Sequence, residues 1–292
     1  MPTAPSTIAI SVIVPCRNAA DVIDAQLRAL AAQRCARPWE VVVVDNGSTD
    51  GTMTVVERWR DRLPCLATVT AVKGRGAAYA RNAGVAAALG ENVAFCDADD
   101  EVAPGWLEAI DTALRRHEAV AFRTEARKLN EAAAIGRQLG QTDGLQPYTY
   151  PPYLPYSGAT LAVRRDIFLT LGGFDEAMLA CEDADFCWRL QHAGYTLHFA
   201  ADAVVHVRLR GTLRDMCRQA RIWGEWNVVL YKKYRPLGMP KLRRTPGVRN
   251  LAGIIRRSPR AINPATRAQW LWQANWAAGR LIGSIKHRVW AL

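Results

Sequence analysis

A chain of 292 residues, half of them apolar, can bury a full core, which excludes a disordered polymer. No apolar run reaches the roughly 18 residues that span a bilayer, and the N-terminus lacks the basic–apolar–small pattern of a secretory leader. The net charge of +11 is unevenly held: residues 1–225 carry 24 Lys and Arg against all 27 Asp and Glu, whereas residues 226–292 carry 14 Lys and Arg and no acid. This asymmetry predicts two functional parts, 1–212 and 213–292. The seven scattered cysteines form no CxxC pair. They read as free thiols of a reducing cytoplasm rather than as disulfides or a zinc site.

Residues 8–14 are a β-branched run ending at Pro15, and residues 20–33 have helical spacing. A second buried strand, 40–44, runs into the turn-rich loop Asp45-Asn46-Gly47-Ser48-Thr49-Asp50-Gly51-Thr52 and a helix over 53–62. A third strand over 66–72 is followed by Gly74-Arg75-Gly76 and an Ala-rich helix over 77–89, then a fourth strand over 93–96. Solidly apolar strands alternating with helices predict an α/β fold, a mostly parallel sheet covered on both faces. Ligands bind such sheets at the C-terminal strand ends. The polar clusters at 15–18, 45–50, 73–76 and 97–100 all fall there.

Further on, the pattern predicts a helix over 106–117 and a long surface loop over 130–157. A strand over 159–163, a helix over 179–192 and strands over 195–199 and 203–207 follow.

The fourth cluster, Asp97-Ala98-Asp99-Asp100, concentrates three carboxylates at a strand end. They repel one another unless a cation intervenes, and a hard divalent ion bridging to a phosphate suits them. The plain alternative is an acidic turn ahead of the next helix.

Together with Val14-Pro15-Cys16-Arg17-Asn18, Gly76 with Ala80-Arg81-Asn82-Ala83-Gly84, Gly172-Gly173-Phe174-Asp175-Glu176, Glu182-Asp183-Ala184-Asp185 and His206, these segments resemble the inverting glycosyltransferases of family 2, over roughly residues 8–210. The resemblance implies the GT-A fold and transfer of a sugar from a nucleotide-diphosphate donor, with Mn²⁺ or Mg²⁺ holding the diphosphate. It implies that the loops carrying Pro15, Arg17, Asn18, Asp45 and Ser48 bind base and ribose, with Asp45 accepting from the base. Arg75 and Arg81 are cations suited to the phosphates. By resemblance Asp97 meets the ribose side, Asp99 and His206 bind the metal, and Asp183 is the general base, with Glu182 and Asp185 supporting it.

Arg17 stands where many relatives carry an aromatic residue, and Asn46 where a second acid is common. The QxxRW signature of processive relatives is absent, which favours single sugar addition. A nucleotidyltransferase of similar fold would carry a Gly-rich, Lys-containing loop after the first strand, not Pro15-Cys16-Arg17-Asn18. A dinucleotide oxidoreductase would need more than Gly74-Arg75-Gly76. A non-catalytic membrane-surface binding protein is the third alternative.

The basic segment predicts helices over 214–234 and 266–291. The second carries an apolar stripe of Leu271, Ala274, Ala278, Leu281, Ile282, Ile285 and Val289, with Trp272, Trp276 and Trp290 projecting elsewhere among cations. Tryptophan beside Lys and Arg without acids suits an anionic membrane surface, here the inner face of the cytoplasmic membrane, delivering a carbohydrate or lipid-linked acceptor. Packing on the catalytic part or a second subunit is the alternative. No nucleic acid is expected, because no reader motif is present. A UDP-sugar is the first choice of donor. Tyr148, Tyr150, Tyr153 and Tyr156 in the long loop are expected on the acceptor side.

Overall fold

The computed structural model describes residues 7–63, 65–131, 142–158, 160–242 and 244–291. The first half alternates β1 (Ile10–Cys16), α1 (Ile23–Ala31), β2 (Trp39–Asp45), α2 (Thr52–Glu57), β3 (Leu66–Thr70), α3 (Ala77–Ala87) and β4 (Asn92–Phe95). These elements follow the expected order, with α2 ending five residues earlier than its periodicity predicts. Then come β5 (Glu101–Val102), α4 (Trp106–Leu114), β6 (Ala119–Glu125), β7 (Leu161–Arg164), α5 (Arg165–Thr170), α6 (Glu182–His192) and β8 (Leu197–His206). Three helices close the chain: α7 (Leu213–Tyr234), α8 (Arg244–Arg256) and α9 (Pro264–Lys286).

The strands form one sheet in the order β3-β2-β1-β4-β7-β6-β8-β5. The β3-β2-β1-β4 half is parallel. Ile10–Cys16 pairs in step with Trp39–Asp45, so β1 and β2 end level and their loops emerge side by side. Phe95 of β4 opposes Ile13, three residues short of the β1 end. The acidic turn therefore leaves the sheet deeper, where strand order reverses about β1 and a crevice is expected. β7 runs antiparallel to both β4 and β6.

The two strands expected at 195–199 and 203–207 are one continuous strand, β8, parallel to β6. A register shift between Phe122 and Arg123 absorbs the irregular middle. The sequence reading passed over β6 altogether, because its apolar start ends in Arg123, Thr124 and Glu125.

Two apolar layers cover the sheet, and Val41–Val44 are fully buried, contributing to both. A third cluster ties the C-terminal helices to α6: Trp188 packs edge-on against Tyr234 and Tyr148, each at 4.8 Å. The Tyr234 hydroxyl lies 2.9 Å from both the backbone and a carboxylate oxygen of Asp185. α9 crosses α7 at backbone distance. A Cβ built on Gly279 would lie 2.8 Å from the carbonyl carbon of Arg221, and one on Gly224 would lie 3.0 Å from that of Trp276.

This crossing decides which side of α9 is hidden. Ala277, Gly279, Arg280 and Gly283 face inward, whereas Leu281, Ile282 and Ile285 are 42%, 45% and 72% exposed. The expected apolar stripe thus faces solvent over this turn. Trp276 and Arg280, expected on the outer side, pack against Tyr150. Among the described residues no helix is long and apolar enough to cross a membrane.

Candidate active site

Two cavities open at the C-terminal edge of the sheet and share Asp97, Asp99, Arg208, Arg210, Gln219 and Trp223. The first, about 840 Å³, is walled by Pro15, Arg17 and Asn18 of the first loop, Asn46 of the second and Gly76 of the third. Asn18 adopts a left-handed φ of 51°, a conformation that asparagine tolerates better than most residues. Its N–H donates to Ser48 Oγ at 3.0 Å and its Oδ1 accepts from the Thr49 N–H at 2.8 Å. Asp45 Oδ1 in turn accepts from the Ser48 N–H at 2.9 Å. Asp45 and Ser48 therefore brace the loop that borders the cavity without lining it. Arg75 is exposed and lies outside both cavities.

Asn46 joins the loops. Its amide donates to the carbonyls of Ala71 and Gly74, and its Oδ1 accepts from the Gly76 N–H. This is the role of the asparagine that stands where an acid is common.

Arg81 lines the first cavity. It is 3% exposed, and its guanidinium donates to Glu182 Oε1 and Asp97 Oδ1, both at 2.7 Å. It bridges the acidic turn and α6 at the cavity wall.

The acidic turn is held from below by the buried Gln26, which donates to the Asp97 carbonyl at 3.1 Å and accepts from the Val102 N–H at 3.0 Å. Asp97, Asp99 and Asp100 present oxygens all within 4.8 Å of one another. Burial, then the charge of Asp97, raises the Asp99 carboxyl above its ordinary value. Burial, Asp97 and Asp99 together push Asp100 up to about 8. Such a cluster is short of positive charge, and all-oxygen donors at this spacing fit a hard divalent cation. In the structure part of the compensation comes from Arg81 on Asp97 and part from two arginines beyond β8. Arg208 donates its backbone N–H to Asp100 Oδ1 at 2.8 Å and its Nε to the Asp99 carbonyl at 3.0 Å; Arg210 pairs with Asp99 Oδ2 at 3.2 Å. Sequence reasoning missed both. Their signal is two cations directly after the strand that ends at His206.

His206 does not enter the carboxylate cluster. Its Nδ1 lies 2.8 Å from Glu125 Oε2 on the neighbouring strand β6.

The second cavity, about 1260 Å³, runs from the same carboxylates to the C-terminal helices. Asp183 lines it; Glu182 and Asp185 do not. Glu182 is engaged by Arg81, while the fully buried Asp185 pairs with Arg189 at 2.8 Å and Lys233 at 2.6 Å. The three acids at the start of α6 are thus sorted: two hold structure and one faces the cavity. Of the four loop tyrosines, Tyr148, Tyr150 and Tyr156 line this cavity, whereas Tyr153 packs on Trp188 and bonds His192. Part of the expected 130–157 loop, residues 132–141, lies outside the described residues.

The glycosyl transferase family 2 model matches residues 11–172, and that of glycosyl transferase family group 2 matches 138–282. A pre-mycofactocin glycosyltransferase of Mycobacterium tuberculosis is 30% identical over 236 residues, covering 76% of this chain; the chain spans only 47% of that relative. Glycosyltransferase AglE of Haloferax volcanii is 28% identical over 229 residues, 77% of this chain and 71% of its own. The mannosyltransferase PcManGT from Pyrobaculum calidifontis, solved in complex with GDP-Man and Mn²⁺, superposes with a TM-score of 0.59 at 25% identity. It covers 97% of this chain and 79% of that one. The sheet is the GT-A arrangement, and the chain belongs to glycosyl transferase family 2.

Proposed function

We propose that this chain moves a sugar from a nucleotide-diphosphate donor, a UDP-sugar first among the candidates, to an acceptor hydroxyl with inversion. The observation that carries this reading is the position of Asp97 and Asp99 at the junction of two cavities, one bordered by the β1–β3 loops and the other by Asp183. A donor in the first cavity would have its diphosphate at the carboxylates and its anomeric carbon toward the second. The GDP-Man and Mn²⁺ bound by the Pyrobaculum mannosyltransferase support a nucleotide-sugar donor and a divalent metal.

Asp99, with Asp97 and Asp100 beside it, would hold Mn²⁺ or Mg²⁺, which supplies positive charge for the departing diphosphate. Arg208 and Arg210 add charge at the same junction. Asp183 takes the proton of the acceptor hydroxyl as its oxygen bonds to the anomeric carbon. The bond from that carbon to the diphosphate breaks, and its electron pair leaves with the diphosphate. His206, outside the carboxylate cluster, would be a further ligand: a carboxylate on Nδ1, here Glu125, is the usual means of fixing a ligating imidazole.

The acceptor is a carbohydrate or a lipid-linked carbohydrate, presented at the inner face of the cytoplasmic membrane. Supporting this are the solvent-facing Leu281, Ile282 and Ile285 on a segment with 14 cations and no acid. Sedimentation with anionic vesicles, lost in an Ile282→Asp, Ile285→Asp variant, is the expected result; no sedimentation of the unaltered chain would refute docking.

The donor site is tested by thermal shift with UDP, GDP and dTDP, each with and without Mn²⁺. At a hundred times its dissociation constant a ligand adds about 2.7 kcal/mol. A metal-dependent shift with one diphosphate, lost in Asp99→Asn, is expected. No shift with any of them would overturn the reading.

A further inference from the structure

Resting on the transferase reading, we infer that the C-terminal helices form a subsite for a neutral glycan of several rings, extending from the reacting hydroxyl along the second cavity. That cavity, about 1260 Å³, exceeds the volume of most small-ligand sites, and a single sugar ring would fill only part of it.

The wall built by the C-terminal helices has its own chemistry. Trp223 of α7 meets Trp272 of α9 edge-to-face at 5.6 Å, and Tyr150 meets Trp276 in the same way at 5.7 Å. The amides Gln219, Asn227, Asn250 and Gln273 line the same cavity. Aromatic faces take the C–H faces of pyranose rings. Amides both donate and accept, as sugar hydroxyls require.

The lining argues against an anionic ligand: its five arginines, four of them outside the C-terminal segment, face six carboxylates. Residues 226–292 hold 14 Lys and Arg and six Asn and Gln. Three of those amides line the cavity, Asn227, Asn250 and Gln273, but among the described residues only Arg257 of the cations does. Half of the segment's amides thus reach the chamber, against one of its described cations.

The wall is also held in place. The Arg280 guanidinium, 3% exposed, lies 3.7 Å from the Tyr150 ring centroid and 4.8 Å from that of Trp276. Its Nε donates to the Ala291 carbonyl at 2.6 Å. Among the described residues it pairs with no carboxylate, and its contacts are the two rings and the Ala291 carbonyl. Arg280 is a positioning residue for the pair.

The test uses the full chain without donor sugar. Intrinsic tryptophan fluorescence and saturation-transfer NMR are recorded with glucose, mannose and N-acetylglucosamine and their neutral oligomers of two and four residues. At least one tetrasaccharide series is expected to bind tenfold or more tightly than its monosaccharide. Gln273→Ala and Trp272→Ala each lower that affinity about tenfold, while the Mn²⁺-dependent shift with nucleoside diphosphate stays unchanged. Gln273→Ala carries the test should Trp272→Ala fail to fold. Equal binding of monomer and tetramer, or no binding of any saccharide with the nucleotide shift intact, overturns the subsite and leaves the transferase reading standing. Loss of the nucleotide shift in the unaltered chain overturns the reading beneath it.

Discussion

Gly279 offers a test in which the sign alone is informative. In an exposed helix, Gly→Ala adds about 1 kcal/mol of stability through backbone entropy. At Gly279 the added Cβ would fall within van der Waals reach of the Arg221 backbone, 2.8 Å from its carbonyl carbon and 3.0 Å from its Cα. Carbon pairs settle at about 3.5–4.0 Å. No rotamer change relieves contact with backbone, so α7 and α9 must part by the better part of an ångström. Overpacking of this kind costs about 1–3 kcal/mol. Because backbone cannot give way, the upper end of that cost applies; set against the propensity gain, Gly279→Ala should destabilise by about 2 kcal/mol and lower the melting temperature by about 3 °C. Gly253 of α8 is the control, because its added Cβ meets only the end of the Arg257 side chain, at 3.2 Å. Gly253→Ala should raise the melting temperature. Thermal denaturation of both variants decides the matter; if Gly279→Ala is stabilised as Gly253→Ala is, the helix crossing, and with it the wall of the second cavity, is wrongly described.

Two further variants probe charge. Asp111 is fully buried and receives Arg37 Nε at 2.8 Å and Arg115 at 2.6 Å. Burial opposes its ionisation, yet these two guanidiniums outweigh it and hold the carboxyl below its ordinary value. Its stabilisation is therefore present above the unfolded value near 4 and is lost as pH falls through the folded one. Asp111→Asn should cost about 2–3 kcal/mol at pH 7 by loss of charge-assisted bonds, and the gap in urea denaturation should close below about pH 4; a gap unchanged with pH would contradict this. Glu125→Gln should weaken Mn²⁺ binding about 10–100-fold, followed by electron paramagnetic resonance of the free ion. Unaltered affinity would remove His206 from the ligand set.

How much of this was legible follows from what a local pattern can hold. β1, β2 and β4 were visible because each is a solid apolar run closed by a turn cluster, the mark of a strand buried on both faces. The four converging loops were visible for the same reason. β6 was not, since Arg123 and Glu125 interrupt its apolar pattern, and β5 has only two residues.

The pairing of Arg81 was not legible because Glu182, which completes it, lies 101 residues further on. Resemblance singled out Asp183 from Glu182 and Asp185, but the partners that engage the other two, Arg81, Arg189 and Lys233, could not be read from the local pattern. The periodicity of α9 showed a stripe, but its inward side was set by Gly224, Gly279 and Gly283, whose small size allows backbones to meet. That is a property of a helix pair, not of either helix alone.

The measurement closest to the central claim compares Asp183→Asn with the unaltered chain for Mn²⁺-dependent nucleotide binding and for sugar transfer. The substitution keeps shape and removes the proton acceptor. Nucleotide affinity should be unchanged and turnover should fall about 10²–10⁴-fold, the span of a general base. Turnover within a few-fold of the unaltered chain would contradict the assignment of Asp183 and the division of the site into two chambers.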